Sequence, residues 1–182
     1  MGLAVAQFAK RMGITCVSLV RSEERISELE DFGEEHVWLD DDSVPQRVAE
    51  FTMKKGCTMA FNSVGGRSAI RLAKCLTPSG VHVTFGAMDG EAVRFPTRNL
   101  IFDDIRFVGF WLDRWKKQKT PSQLRSALEE ILQPLALAEI KFPIDSIYSL
   151  DEFPNALNRN AESRFGKVLL ARDKNVVEKL TS

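Results

Sequence analysis

Gly2 and Arg21 are the residues whose types and spacing first point to chemistry. Gly2 opens a helical run, Gly2-Leu3-Ala4-Val5-Ala6-Gln7-Phe8-Ala9-Lys10, and Met1 precedes it. Nineteen positions past Gly2, the apolar run 15–20 ends in Arg21-Ser22. A helix start presents free N–H groups and a partial positive charge, which suit a pyrophosphate. The end of a strand about 20 residues past a glycine-led helix is where a dinucleotide-binding fold reads the adenosine ribose. An acid there would hold a free 2′-hydroxyl, whereas the planar fork of a guanidinium suits a 2′-phosphate. Each residue also has a plainer reading. Many helices open on glycine, and an arginine after a strand can be a solvated side chain partnered by Glu23 or Glu24.

Three further loops follow apolar runs: Asn62-Ser63-Val64-Gly65-Gly66, Phe85-Gly86-Ala87-Met88 and Phe110-Trp111-Leu112. Loops at the carboxyl ends of parallel strands form the ligand crevice of an open α/β sheet. Glycine lets the backbone approach a ligand closely. Phe85, Met88, Phe110 and Trp111 would supply apolar surface for a nicotinamide ring and an acyl chain. Any one of them fits ordinary core; all three loops in order point to a cofactor crevice. No catalytic constellation accompanies them. His36 and His82 lie in strand patterns without neighbouring cysteine or carboxylate ligands, so no metal site is expected. Ser63 and Ser68 lack the strained turn of a nucleophile elbow. Tyr148, the one tyrosine, reads as packing or a surface hydroxyl. Arg114, Lys116, Lys117 and Lys119 form a basic run beside Trp111 and Trp115, which is either a solvated face or a contact for a phosphate-bearing acyl carrier.

The elements that must position these residues alternate strand-length apolar runs with helical spacing, the pattern of a parallel sheet covered by helices. Strands are expected over 15–20, 36–39, 57–62, 81–86, 105–112, 144–148 and 167–171. Helices are expected near 2–12, 22–32, 44–54, 67–76 and 151–159, and from Pro121 onward. Ser22 is placed to cap the second of these. Pro78-Ser79-Gly80 should break the helix before it, and a long polar connection should carry Pro96. Leu124, Leu128, Ile131, Leu132 and Leu135 are expected as the buried stripe of the helix that Pro121 opens. Residues 173–182 read as a polar, frayed tail.

The chain has 182 residues with 25 basic and 25 acidic side chains. It is long enough to bury roughly 70% of its extended surface. Zero formal charge gives no reason to expect nucleic acid or an anionic membrane as partner. No apolar run approaches the ~18 residues of a membrane span, and no basic-then-apolar leader is visible. Cys16, Cys57 and Cys75 sit in apolar patterns and read as small core residues of a reducing compartment.

Several stretches together resemble the medium-chain dehydrogenase/reductase superfamily, and within it the mitochondrial trans-2-enoyl-CoA/enoyl-[acyl-carrier-protein] reductases. They are Gly33-Glu34-Glu35-His36-Val37, Phe61-Asn62-Ser63-Val64-Gly65-Gly66, Thr84-Phe85-Gly86-Ala87-Met88 and Val108-Gly109-Phe110-Trp111-Leu112-Asp113-Arg114-Trp115-Lys116-Lys117. The likeness runs from Met1 to about Ala171. It implies a doubly wound, Rossmann-like α/β fold with NADPH as cofactor. Met1 and Gly2 match the end of the glycine-rich turn. Arg21, Ser22 and Glu23 match the stretch holding the 2′-phosphate. Phe85, Gly86, Ala87 and Met88 match the loop over the nicotinamide, as do Phe110, Trp111 and Leu112. Lys167 matches a C-terminal lysine that reaches the cofactor. The catalytic tyrosine of the family belongs to an amino-terminal domain and has no match here; Tyr148 is not its equivalent.

The resemblance also sets out an organisation. Residues 1–137 would form the NADPH-binding domain without its first strand, 138–172 a C-terminal segment of the catalytic domain, and 173–182 the tail. Ile144, Ile147, Phe153, Leu157, Val168 and Leu170 would then lack much of their cover. The expected activity is reduction of trans-2-enoyl thioesters on coenzyme A or acyl carrier protein in fatty-acid synthesis. The isolated chain is expected to be inactive. Homodimers across the strand near 106–110 and a mitochondrial location, otherwise cytoplasmic, are implied in the same way. Two alternatives stay open: a quinone or alkenal reductase of the same superfamily, and a non-catalytic nucleotide-binding or dimerising module.

Overall fold

The computed structural model describes residues 1–93 and 95–172, so the expected tail at 173–182 lies outside the described residues. Helix and strand alternate from the start: α1 (Gly2–Arg11), β1 (Ser18–Val20), α2 (Glu23–Asp31), β2 (Val37–Leu39), α3 (Val44–Phe51), β3 (Cys57–Asn62), α4 (Gly66–Lys74) and β4 (Leu76–Thr84). Then follow α5 (Thr97–Phe102), β5 (Arg106–Gly109), α6 (Leu112–Lys117), α7 (Pro121–Ala136), β6 (Ile144–Ser149), a short 3-10 turn, α8 (Phe153–Ala161) and β7 (Lys167–Ala171). The architecture is α/β and every strand pairing among the described residues is parallel.

The strands form three sheets, β1-β2, β3-β4-β5 and β6-β7. The first two share one helical layer. Val44 and Val48 of α3 form a buried cluster with Cys75, and Leu19 of β1, Trp38 of β2 and Cys57 of β3 pack against it. Cys57 also packs against a second cluster, Ala60, Leu76 and Ile105, with Leu72 and Phe107. Ile105 is 2% exposed; burying such a side chain contributes about 1.5–3 kcal/mol. The segments leading into β6 and β7 touch the first two helices. The Gln7 side-chain amide pairs in both directions with the Lys141 backbone, each bond 2.8 Å. Arg25 donates to the Arg164 carbonyl at 2.6 Å, and Phe32 meets Phe165 edge-on at 5.8 Å.

Several expected boundaries move, each for a local reason. The first strand shortens to Ser18–Val20, because β2 offers only three paired residues opposite it. Ser22 occupies the N-cap of α2 but its side chain makes no cap hydrogen bond. Pro78-Ser79-Gly80 does not separate helix from strand; β4 starts at Leu76, paired with Cys57, and the irregularity falls before Val81 rejoins Met59. The polar connection around Pro96 contains α5, with Pro96 at its N-cap. The strand expected through Leu112 stops at Gly109, since Leu112 to Lys117 coil into α6 with acidic Asp113 in its first turn and basic residues in its last.

The largest correction concerns α7. Its start is as the sequence suggests, with Pro121 in the first turn and a capping box between Thr120 and Gln123. Its apolar stripe is not buried: Leu128, Ile131 and Leu132 are 56%, 45% and 57% exposed. Helical periodicity marks a face that favours cover, and among the described residues that cover is not supplied.

Candidate functional site

The register of the central sheet sets three strand ends level. Asn62 of β3 stands opposite Thr84 of β4, and Thr84 opposite Gly109 of β5. The loops after them therefore leave from one edge. Two of them are stitched together by their backbones: Phe85 donates to the Asn62 carbonyl at 3.0 Å, Met88 to Ser63 at 3.1 Å and Asp89 to Val64 at 3.0 Å. Phe110 joins this edge by donating to the Thr84 carbonyl at 2.8 Å. Close stacking of the loops requires Gly86, where a Cβ would lie 2.9 Å from the Ser63 carbonyl oxygen. Gly65 turns at φ +98°, in the region that favours glycine, and a Cβ there would meet the Asp89 carboxylate at 2.6 Å.

Asn62 organises this turn, a role the sequence reading did not assign to it. Only 1% exposed, it accepts hydrogen bonds at Oδ1 from the amides of Val64 (2.9 Å) and Gly65 (3.1 Å). Its Nδ2 is buried and has no partner among the described residues. A buried donor without an acceptor costs roughly 1–3 kcal/mol, and such a group marks a place where an acceptor belongs. The available signal was an asparagine at a strand end, one residue ahead of Ser63-Val64-Gly65-Gly66, the spacing at which Asx side chains bond the backbone two residues on.

Arg21 follows the end of β1 and is exposed, with no hydrogen bond or ion pair among the described residues. Glu23 enters α2 as its first residue, behind Ser22 at the N-cap. Met1 is the N-cap of α1 and Gly2 its first residue. The first backbone bond of that helix runs from Val5 to Met1 at 3.1 Å, so the amides of Gly2, Leu3 and Ala4 precede it and have no intrahelical acceptor. No acidic residue occupies this first turn. Helix α1 packs on β1.

The structure thus brings Phe85, Gly86, Ala87 and Met88 onto the Asn62 turn and sets Phe110 beside them. Met88, Phe110, Trp111 and Leu112 are 70%, 43%, 60% and 54% exposed, so they offer apolar surface rather than core. Lys167 lies elsewhere, at the start of β7, where its amide donates to the Pro143 carbonyl at 3.0 Å. A cavity of about 180 Å³ opens at the opposite edge, where Cys16 and His36 precede β1 and β2; it involves none of the candidate residues.

Two further groups lie in the strands of the central sheet or at their starts. His82, fully buried on β4, sits 5.1 Å from the Phe107 ring, with Nδ1 3.4 Å from Thr84 Oγ1. Burial pushes its pKa down, so the ring is held neutral. Cys57 and Cys75, far apart in sequence, are neighbours in space: the Cys57 amide donates to the Cys75 carbonyl at 2.8 Å. Burial first, and then Cys57 and Asp40, push the Cys75 thiol up to about 12, which leaves it unreactive at neutral pH.

The set of donors at the strand ends suits an acceptor-rich ligand: helix amides at Gly2, the guanidinium of Arg21 and the amide of Asn62. The Phe85 and Phe110 loops, with their flat apolar side chains, leave from the same sheet edge as Asn62. A dinucleotide has that chemistry, phosphates at one end and a flat ring at the other.

Residues 1–133 match the zinc-binding dehydrogenase family. The mitochondrial enoyl-[acyl-carrier-protein] reductase of Caenorhabditis elegans is 36% identical over 171 residues, which cover 91% of this chain and 48% of that protein. The chain spans about half the length of the curated relatives it matches. Among solved structures, a mycobacterial quinone oxidoreductase aligns with a TM-score of 0.81 at 20% identity, over 92% of this chain and 52% of that one. A mutant protein in complex with NADP and crotonyl-CoA aligns with a TM-score of 0.73 at 19% identity, over 87% and 48%. These two likenesses establish the fold: a Rossmann-like parallel α/β unit. Zinc finds no donor set here, since no group of three or more His, Cys, Asp or Glu among the described residues could hold a metal ion.

Proposed function

We propose that the whole protein reduces trans-2-enoyl thioesters with NADPH, on the premise that this chain belongs to the zinc-binding dehydrogenase family of the medium-chain dehydrogenase/reductase superfamily. The observation that carries the reading is the set of donors lacking acceptors at the strand and helix ends, above all the buried Asn62 Nδ2. The names of the relatives favour the thioester, and NADP and crotonyl-CoA in one fold neighbour favour the cofactor and substrate class.

In this reading the amides after Met1 and Gly2 hold the pyrophosphate, and Arg21, with Ser22 and Glu23 beside it, reads the 2′-phosphate. Phe85, Gly86, Ala87 and Met88 and the run Phe110, Trp111 and Leu112 flank the nicotinamide. Lys167 is assigned a cofactor contact on resemblance alone. Bound NADPH supplies a hydride to the β-carbon of the enoyl thioester, and a proton adds at the α-carbon. This chain contributes position and the exclusion of water rather than an acid: holding reactants in register supplies much of the rate in such enzymes. The proton donor is assigned to a domain outside residues 1–182.

Residues 1–137 would be the cofactor-binding domain and 138–172 a segment returned from the catalytic domain. Between β1 and β3, which pack on the same helices without pairing, one further parallel strand would join the two sheets. The outer edge of β5 pairs with no strand among the described residues and is the proposed homodimer contact. The proposed location is the mitochondrion, after the relatives.

A turnover assay tests the reading. The full-length protein should oxidise NADPH with crotonyl-CoA faster than with quinones, and the 182-residue chain alone should bind NADPH without turnover. Preference for quinones would favour the quinone-reductase alternative, to which the mycobacterial fold neighbour points. Binding without turnover in the full-length protein would favour a non-catalytic module.

A further inference from the structure

The stretch from Trp111 to Lys119 has a property that cofactor binding does not use. Arg114, Lys116, Lys117 and Lys119 fall within six positions of a chain whose formal charge is zero. Asp113 neutralises Lys116, at 2.9 Å. The Arg114 guanidinium stands 6.0 Å from the Trp111 ring centroid and the Lys119 ammonium 5.6 Å from that of Trp115. Neither cation has a carboxylate partner among the described residues, and Lys117 has no partner of any kind among them. By contrast, Arg71 meets Asp40 and Asp42, and Arg159 meets Asp145 and Glu162.

Three uncompensated cations therefore adjoin exposed Phe110, Trp111 and Leu112 at the carboxyl edge of the central sheet. The surface is apolar and aromatic at one end and cationic at the other. Aromatic rings beside two of the cations restrict their range without neutralising them, which lowers the ordering cost of a bound anion.

We propose that this stretch binds the phosphate of a phosphopantetheine arm, with Arg114, Lys117 and Lys119 on the phosphate and Trp111 against the uncharged arm. The inference rests on the thioester reading above. An acyl thioester of coenzyme A or of a carrier protein hangs from the same arm, and that arm ends in the same phosphate ester. The complementarity is directional: the thiol end points toward the Phe85 and Phe110 loops and the phosphate away from them, along α6. A nucleic-acid or membrane face would call for cations over a wider surface than one short helix and its flank.

The test uses the 182-residue chain and the fluorescence of Trp111 and Trp115. Phosphopantetheine should bind at least about tenfold more tightly than pantetheine or inorganic phosphate. That gap should close in the Arg114→Ala/Lys117→Ala double variant and shrink as salt rises. Equal affinity for coenzyme A, holo carrier protein and phosphopantetheine would support recognition of the shared arm; tighter binding of one of the first two would support it and identify the carrier. Pantetheine binding as well as phosphopantetheine, inorganic phosphate binding as tightly, or an unchanged double variant would each overturn the proposal. So would tighter binding of an oligonucleotide or of anionic vesicles. The two readings separate in the full-length protein. Turnover of crotonyl-CoA with the same KM in the double variant would remove this site and leave the reduction standing. Phosphopantetheine binding that depends on Arg114 and Lys117, without turnover of any thioester, would keep this site and remove the reduction.

Discussion

Asn62 holds the Gly65 amide at 3.1 Å through Oδ1, while Nδ2 of the same side chain stays buried without a partner among the described residues. One group thus both fixes the turn and leaves a donor waiting. Asn62→Ala removes the bonds to Val64 and Gly65, each worth about 1 kcal/mol net, and relieves part of the cost of the unmet donor. The expected loss is therefore modest, roughly 0.5–2 kcal/mol by urea denaturation. NADPH affinity should fall by more than the stability change explains. A variant that keeps its affinity would separate the turn from ligand binding.

Gly86 tests whether the stacking of the two loops is required. An added Cβ would meet Ser63 backbone at 2.9 and 3.3 Å, and backbone cannot swing aside as a side-chain tip can. Gly86→Ala should displace the loop 85–88 and cost about 1–3 kcal/mol. Melting curves and cofactor titration together check this: stability and NADPH affinity should fall in the same variant. A melting temperature equal to the parent's would mean that the loops have slack.

His82 makes stability depend on pH. Its folded pKa lies below the ordinary 6.5 because burial disfavours the imidazolium. In the pH range between the two values the unfolded chain binds the extra proton, so stability is fully present above about 6.5 and is lost as pH falls from there toward the folded pKa. His82→Phe keeps a ring against Phe107 and has nothing to titrate. Denaturant midpoints measured from pH 7.5 downward should fall more steeply for the parent than for this variant, and parallel curves would count against the assignment.

How much of this was legible in the sequence follows from how local each signal is. The bounds of β3, β6 and β7 rest on short apolar runs closed by turn residues, and these lie within a residue of expectation. The end of β5 was missed, because Phe110-Trp111-Leu112 reads as strand by composition while Gly109 is the last residue to find a partner on β4. Leu128, Ile131 and Leu132 show the limit of periodicity: a helical stripe states which face favours burial and is silent on what lies opposite. The glycines of the Asn62 turn were visible in sequence, but the stacking of Gly86 on Ser63 joins residues 23 positions apart. The proximity of Cys57 and Cys75 likewise depends on β3 and β4 pairing, which spacing alone does not reveal.

Arg21 carries the choice of cofactor. It is exposed at the end of β1 and without an ion-pair partner among the described residues, so a 2′-phosphate would meet a cation that no carboxylate has already claimed. Glu23 and Glu24 begin α2 nearby, and their charges would repel that phosphate if the guanidinium were absent. Arg21→Glu adds a third acid and removes the fork. Preference for NADPH over NADH should drop by about 1–3 kcal/mol, the scale of a charge-assisted hydrogen bond, which is about five- to 150-fold in the ratio of dissociation constants. NADH affinity should stay the same or improve, because an acid at a strand end can accept from a ribose hydroxyl. Fluorescence titration of both cofactors against parent and variant measures the ratio directly, and an unchanged ratio would place the 2′-phosphate elsewhere on the chain.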